Sequence, residues 1–99
     1  MSWKFDQAPN VACITCGSVI AGHPVLVATH YESDHSWAFM DGEPVDMASA
    51  LVVAMSEVVN RHPDVEEIAG LEPGWSATRT SVSEPWIIQQ DVWVSEALD

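Results

Sequence analysis

The run Val25-Leu26-Val27-Ala28-Thr29-His30-Tyr31 reads as a β-strand before anything else in the chain does. It is β-branched and apolar, and alternation puts Val25, Val27, Thr29 and Tyr31 on one face and Leu26, Ala28 and His30 on the other. Working outward, Glu32-Ser33-Asp34-His35 is a polar loop, and Ser36 to Met40 is a second strand with Trp37 and Phe39 on a common face. Upstream, Val11 to Thr15 is a third strand-like run. Gly17 and Gly22 bracket Ser18-Val19-Ile20-Ala21 as a turn or short connector. Together these runs predict an antiparallel meander.

Downstream, Asp41-Gly42-Glu43-Pro44 is a turn. The next stretch admits two readings. Met47, Ala50, Leu51, Ala54, Met55, Val58 and Val59 recur at helical spacing, which makes one long helix from Asp46. Leu51-Val52-Val53 is also a continuous β-branched run, which makes a buried strand followed by a shorter helix from Met55. Pro63 stops that helix and opens a second, Pro63 to Ala69, with Asp64, Glu66 and Glu67 at its N-terminal end and Gly70 after it. Trp75 to Val82 alternates as a strand with Trp75, Ala77 and Arg79 on one face, where Arg79 is expected as a structural ion-pair partner. Pro85-Trp86-Ile87-Ile88 is a short final strand. The expected fold is a single α+β domain over residues 1–99: a small antiparallel sheet of four to five strands with two short helices packed on it. Its core spans roughly 10–88, after a lead-in at 1–9 and before a tail at 89–99.

The chain has 99 residues, one domain's worth. Trp3, Trp37, Trp75, Trp86 and Trp93 are many tryptophans for that length, enough to dominate a thin core. Fifteen acidic side chains face Lys4, Arg61 and Arg79, for a formal net charge of −12. Such a field repels nucleic acid and anionic membranes, and it attracts a basic partner. The N-terminus lacks the apolar run of a secretory signal, and no apolar stretch approaches the ~18 residues of a spanning helix, so the expected location is cytoplasmic.

The pieces Ala12-Cys13-Ile14-Thr15, Val25 to Tyr31, Ser36-Trp37-Ala38-Phe39 with Asp41-Gly42-Glu43, Met55 to Asp64, Gly74 to Arg79 and Pro85-Trp86 stand in an order and spacing that resemble a bacterial family, domain of unknown function 2185, also grouped with immunity proteins of type 33. The resemblance covers roughly residues 3–88. It implies a compact α+β domain without known enzymatic activity, and it supports the strand-then-helix reading of residues 47–59. Some relatives of that kind bind and neutralise a toxin, so the implied partner is a protein such as a basic toxin. Cys13-x-x-Cys16 and the histidine-bearing loop depart from that family's pattern.

Two sets of site residues follow. As an interaction domain without a cofactor, the chain would use Trp75 and Trp86 as aromatic anchors and Asp41 and Glu43 as acidic contacts. As a small metal-binding or redox domain it would use Cys13 and Cys16 with His30 and His35. Strand geometry argues against the second set, because three residues of strand span ~10 Å and turn the two thiols apart. A Cys-His-Asp arrangement from Cys13, His30 and Asp34 has no nucleophile elbow or glycine-built oxyanion site beside it.

Overall fold

A computed structural model of the chain describes residues 3–43 and 50–90. Six strands form one sheet: β1 (Ala12–Cys16), β2 (Val27–His30), β3 (Trp37–Met40), β4 (Ala50–Ala54), β5 (Trp75–Thr78) and β6 (Ile87–Gln90). They are interleaved with helices α1 (Gly17–Ile20) and α2 (Met55–Arg61) and a 3-10 helix at Pro63–Ile68. The sheet order is β4-β1-β3-β2-β5-β6.

The α+β class holds, but the antiparallel sheet of four to five strands, with its three-strand meander, gives way among the described residues to a six-stranded mixed sheet. β1 and β3 pair in parallel, whereas every other neighbouring pair is antiparallel. The reason lies in the segment expected as a connector. Gly17–Ile20 forms the helical turn α1 and buries Val19 completely. The chain therefore turns back antiparallel to β1 but not beside it. β2 lands two positions away, and β3 folds back into the gap by a tight hairpin. In that hairpin Tyr31 N–H donates to the Ser36 carbonyl at 2.8 Å, and His35 sits at a φ of 61°.

Within the described part of the ambiguous stretch, Ala50–Ala54 is a strand and a helix begins at Met55. The proposed helical positions Asp46 and Met47 lie outside the described residues, as do Trp93 and all but the first two residues of the 89–99 tail. The second expected helix is tighter than an α-helix, a 3-10 turn with Pro63 at its start. Gly74, at a φ of 89°, adopts the left-handed conformation that glycine takes without penalty. Its N–H donates to the His30 carbonyl at 2.7 Å, which starts β5 alongside β2.

Register aligns the side chains into rows across the sheet. On one face run Val53, Cys13, Trp37, His30 and Trp75, and beside them Leu51, Thr15, Phe39, Ala28, Ala77 and Ile88. Val19, Met55, Val58, Val59, Val65 and Ile68 from the helices join Cys13, Trp37, Phe39, Ala28 and Ala77 in a single core. All three described helices thus cover this face. Trp37 alone among the described tryptophans is fully buried, while Trp3, Trp75 and Trp86 are half-buried and pack on the core's margin. The described interior is thus built around one tryptophan, with Phe5, Phe39 and smaller apolar side chains filling the rest.

The lead-in belongs to that interior. Phe5 is buried and meets Trp37 edge-on at 4.9 Å between ring centroids. Asp6 accepts a hydrogen bond from Trp37 Nε1 at 2.9 Å. Two buried histidines tie segments together through carbonyl oxygens. His30 Nδ1 bonds to Leu71 O at 2.7 Å, and His62 Nε2 to Val19 O at 2.8 Å. A carbonyl only accepts, so each of these ring nitrogens carries the proton.

Candidate functional site

The cysteine set does not converge. Cys13 points into the core from β1, and burial pushes its thiol up to about 11. In its row Trp37 stands between Cys13 and His30. Cys16 is half-buried where α1 begins, with its sulfur 3.3 Å from Ser18 Oγ. The Ser18 hydroxyl donates to Asp41, so the thiol is the donor to Ser18. His35 is exposed on the β2–β3 loop, 5.9 Å from His30 between ring centroids. Among the described residues no group of three or more His, Cys, Asp or Glu side chains is placed to hold a metal ion. One consequence is testable with a thiol reagent at pH 8. Cys13 is expected to stay unmodified in the native chain and to react only after denaturation, because both its burial and its raised pKa suppress the thiolate. Mass-spectrometric mapping that finds Cys13 alkylated under native conditions would contradict its placement in the core.

A cleft of ≈ 320 Å³ opens beside His30, walled by Lys4, Phe5, Asp6, Leu71, Glu72 and Pro73. Two of its polar side chains are held within the fold. His30 Nδ1 is held by Leu71, and Asp6 is held by Trp37. Asp6 Oδ2 also lies 3.0 Å from His30 Nε2, but not in the geometry of a hydrogen bond, so Nε2 is a buried nitrogen without a hydrogen-bond partner among the described residues. The ring is fixed on its other edge by Leu71 and on its face by Trp37, stacked at 4.1 Å.

The four residues expected to contact a partner are not one patch either. Trp75 starts β5 beside His30, and its side chain lies on the helix-covered face. Trp86 is tied down: Nε1 donates to Glu67 at 3.1 Å, and the Arg79 guanidinium sits 4.0 Å over its ring. Asp41 and Glu43 follow β3, at the opposite end of the sheet from Trp75. Asp41 binds locally, accepting from Ser18 and from the Glu43 backbone N–H at 3.0 Å. Those two bonds, the Ser18 hydroxyl first, hold its carboxyl below the usual carboxylate range.

A depressed native pKa makes the ionised carboxylate stabilising. The contribution is complete above the ordinary value of about 3.9 and is lost as pH falls through the lower native value. Ser18→Ala is therefore expected to move Asp41 back toward its ordinary value in a carboxyl-carbon NMR titration, and the stability gap to the wild type should narrow in acid. An unmoved midpoint would mean that Ser18 is not the main cause.

The site that sequence reasoning missed is the other face of the sheet. Register places Val52, Ile14, Ala38, Thr29, Ser76 and Gln89 in one row, and Met40, Val27, Thr78 and Ile87 in the next. Neither row holds a charged side chain. All the described helices lie on the opposite face. A shallow groove of ≈ 210 Å³ runs over the centre, lined by Ile14, Val27, Thr29, Tyr31, Ala38, Met40, Gly42 and Glu43. Ala38 at its floor is 3% exposed, while Val52 and Ile87 at the margins are 72% and 59% exposed. The available signal was Val25–Tyr31 itself: its alternate face carries Val27 and Thr29, where a solvated strand would place charges. Comparison of the chain with protein-family models, with curated proteins and with solved structures returned no match.

Proposed function

We propose that this chain is an acidic interaction domain that binds a basic protein, in the manner of an immunity protein holding a toxin, and carries out no chemistry of its own. The observation that carries the reading is the charge imbalance, fifteen acidic side chains against three basic ones. Both arginines are engaged within the fold. Arg79 is buried against Asp64, and Arg61 bonds Glu57 and the Ile20 carbonyl. The acidic field is left to act outward, where it speeds encounter with a cationic surface and disfavours nucleic acid. Among the described residues no helix is long and apolar enough to cross a membrane.

The test is co-purification of the tagged chain from its native cell, followed by a salt titration of the recovered complex. A stoichiometric partner of net positive charge is expected. Its affinity should fall as the Debye length shrinks from about 10 Å at 0.1 M to about 3 Å at 1 M salt. Recovery of no such partner, or binding indifferent to salt, would remove the proposal.

A further inference from the structure

We infer that the face of the sheet that no described helix covers is the recognition surface, and that its occupant is a protein presenting an uncharged, apolar patch ringed by lysine or arginine. This rests on the binding reading above and adds to it the place and chemistry of contact.

Charge is distributed unevenly over the sheet. In a chain with eighteen charged side chains, ten positions in two adjacent rows of one sheet face carry none. Instead they carry Val, Ile, Ala, Met, Thr, Ser and Gln. Solvated sheet faces are ordinarily polar and often charged, and exposed β-branched strands are a hazard that proteins suppress with lysine or glutamate. Here the suppression is missing, although acidic residues are plentiful elsewhere. Val52 on one edge strand and Ile87 on the other continue the apolar character to both margins. Thr29 and Ser76 hydroxyls lie 3.2 Å apart across neighbouring strands, so part of the polarity at the centre is turned inward to itself.

Area and rim charge then select the occupant. Six strands spaced by ~4.8 Å, each four to five residues long at ~3.3 Å per residue, make a face of roughly 29 by 15 Å, on the order of 400 Å². A stable interface removes about 800 Å² per partner, as an apolar centre with a polar rim. The face matches such a centre, so the remaining area must come from its surroundings. There Glu43 forms part of the groove wall, and Glu32 follows the lining Tyr31. A partner of opposite rim charge gains from this arrangement. A second copy would bring two surfaces of net charge −12 rim to rim, and like charges across an interface are costly.

The test places a photo-crosslinking amino acid in the full-length chain at Val52, at Ile87 and, as a control on the helical side, at the exposed Glu57, in the native cell. The proposal expects a basic protein to be captured at Val52 and Ile87 and not at Glu57. With that protein purified, Thr29→Arg at the centre of the face should weaken binding on the order of 100-fold, because it buries a charge without a partner. Val52→Arg, at a position exposed enough to leave the fold intact, should weaken it at least several-fold with an unchanged melting temperature. A crosslink to a second copy, to residues 91–99 of the same chain, or to an acidic protein overturns the proposal. Capture at Glu57 alone, or binding indifferent to Val52→Arg, overturns the surface while leaving the basic-partner reading intact. Capture of nothing at all three positions removes both.

Discussion

Truncation of Trp37 to alanine is expected to lower the unfolding free energy by about 3–5 kcal/mol, the range for removing a large aromatic side chain from a packed core. Domains of this kind are stable by only about 5–15 kcal/mol, so the variant should be partly unfolded at moderate temperature. Trp37 carries this weight because it joins three parts of the molecule. Its ring stacks on His30 of β2 at 4.1 Å and lies parallel to Phe39 of its own strand at 5.7 Å. Phe5 of the lead-in meets it edge-on, and its Nε1 donates to Asp6. Trp37→Phe keeps an aromatic ring and loses the N–H, so its cost should be smaller, with about 1 kcal/mol from the hydrogen bond. Urea unfolding followed by circular dichroism reads both. Amide exchange supplies an independent check: residues 3–9 should lose protection in Trp37→Ala before the strands do. A Trp37→Ala midpoint equal to the wild type's would refute a core organised around this side chain.

The legibility of this fold from its sequence divides along a physical line. Local patterns are readable because they depend on near neighbours. The period-2 run at Val25–Tyr31 marks the strand, Pro63 and Gly70 bound the second helix, and Arg79 stands out as an ion-pair partner on a strand face otherwise holding Trp75 and Ala77. Topology is not readable in the same way. Four residues at Gly17–Ile20 separate a meander from a connection that skips one strand position, and a stretch that short carries too little periodicity to distinguish a turn from a helical turn. The parallel pairing of β1 with β3 follows from that one segment. The candidate site is hidden for a related reason. Uncharged positions such as Ala38 and Thr29 carry no chemical signature one at a time. They become a surface only when register lines up ten of them from six strands. Conversely, Cys13 and Cys16 draw notice by spacing alone, and the strand they share separates them.

Replacement of Arg79 by methionine is expected to cost about 3–5 kcal/mol, the penalty for breaking a buried ionic network from one side. The Arg79 side chain is 2% exposed. Nε and Nη2 both donate to the Val25 carbonyl, at 3.2 and 3.0 Å, Nη2 also bonds Asp64, and the guanidinium covers the Trp86 ring. One planar fork thereby fastens the end of β5 to the start of β2, to the 3-10 helix and to the approach to β6. Lysine keeps the charge but not the fork, so Arg79→Lys should recover only part of the loss. Asp64→Asn should cost less than Arg79→Met, because the Asp64 side chain is 35% exposed and water replaces its lost partner. The double variant Arg79→Met with Asp64→Asn separates two explanations. If the ion pair alone mattered, removing both charges would restore most of the stability. If the Val25 carbonyl is the critical acceptor, the double variant stays nearly as unstable as Arg79→Met, because a buried carbonyl is still left without its donors. The two donors converging on that one oxygen favour the second outcome, and full recovery in the double variant would rule it out.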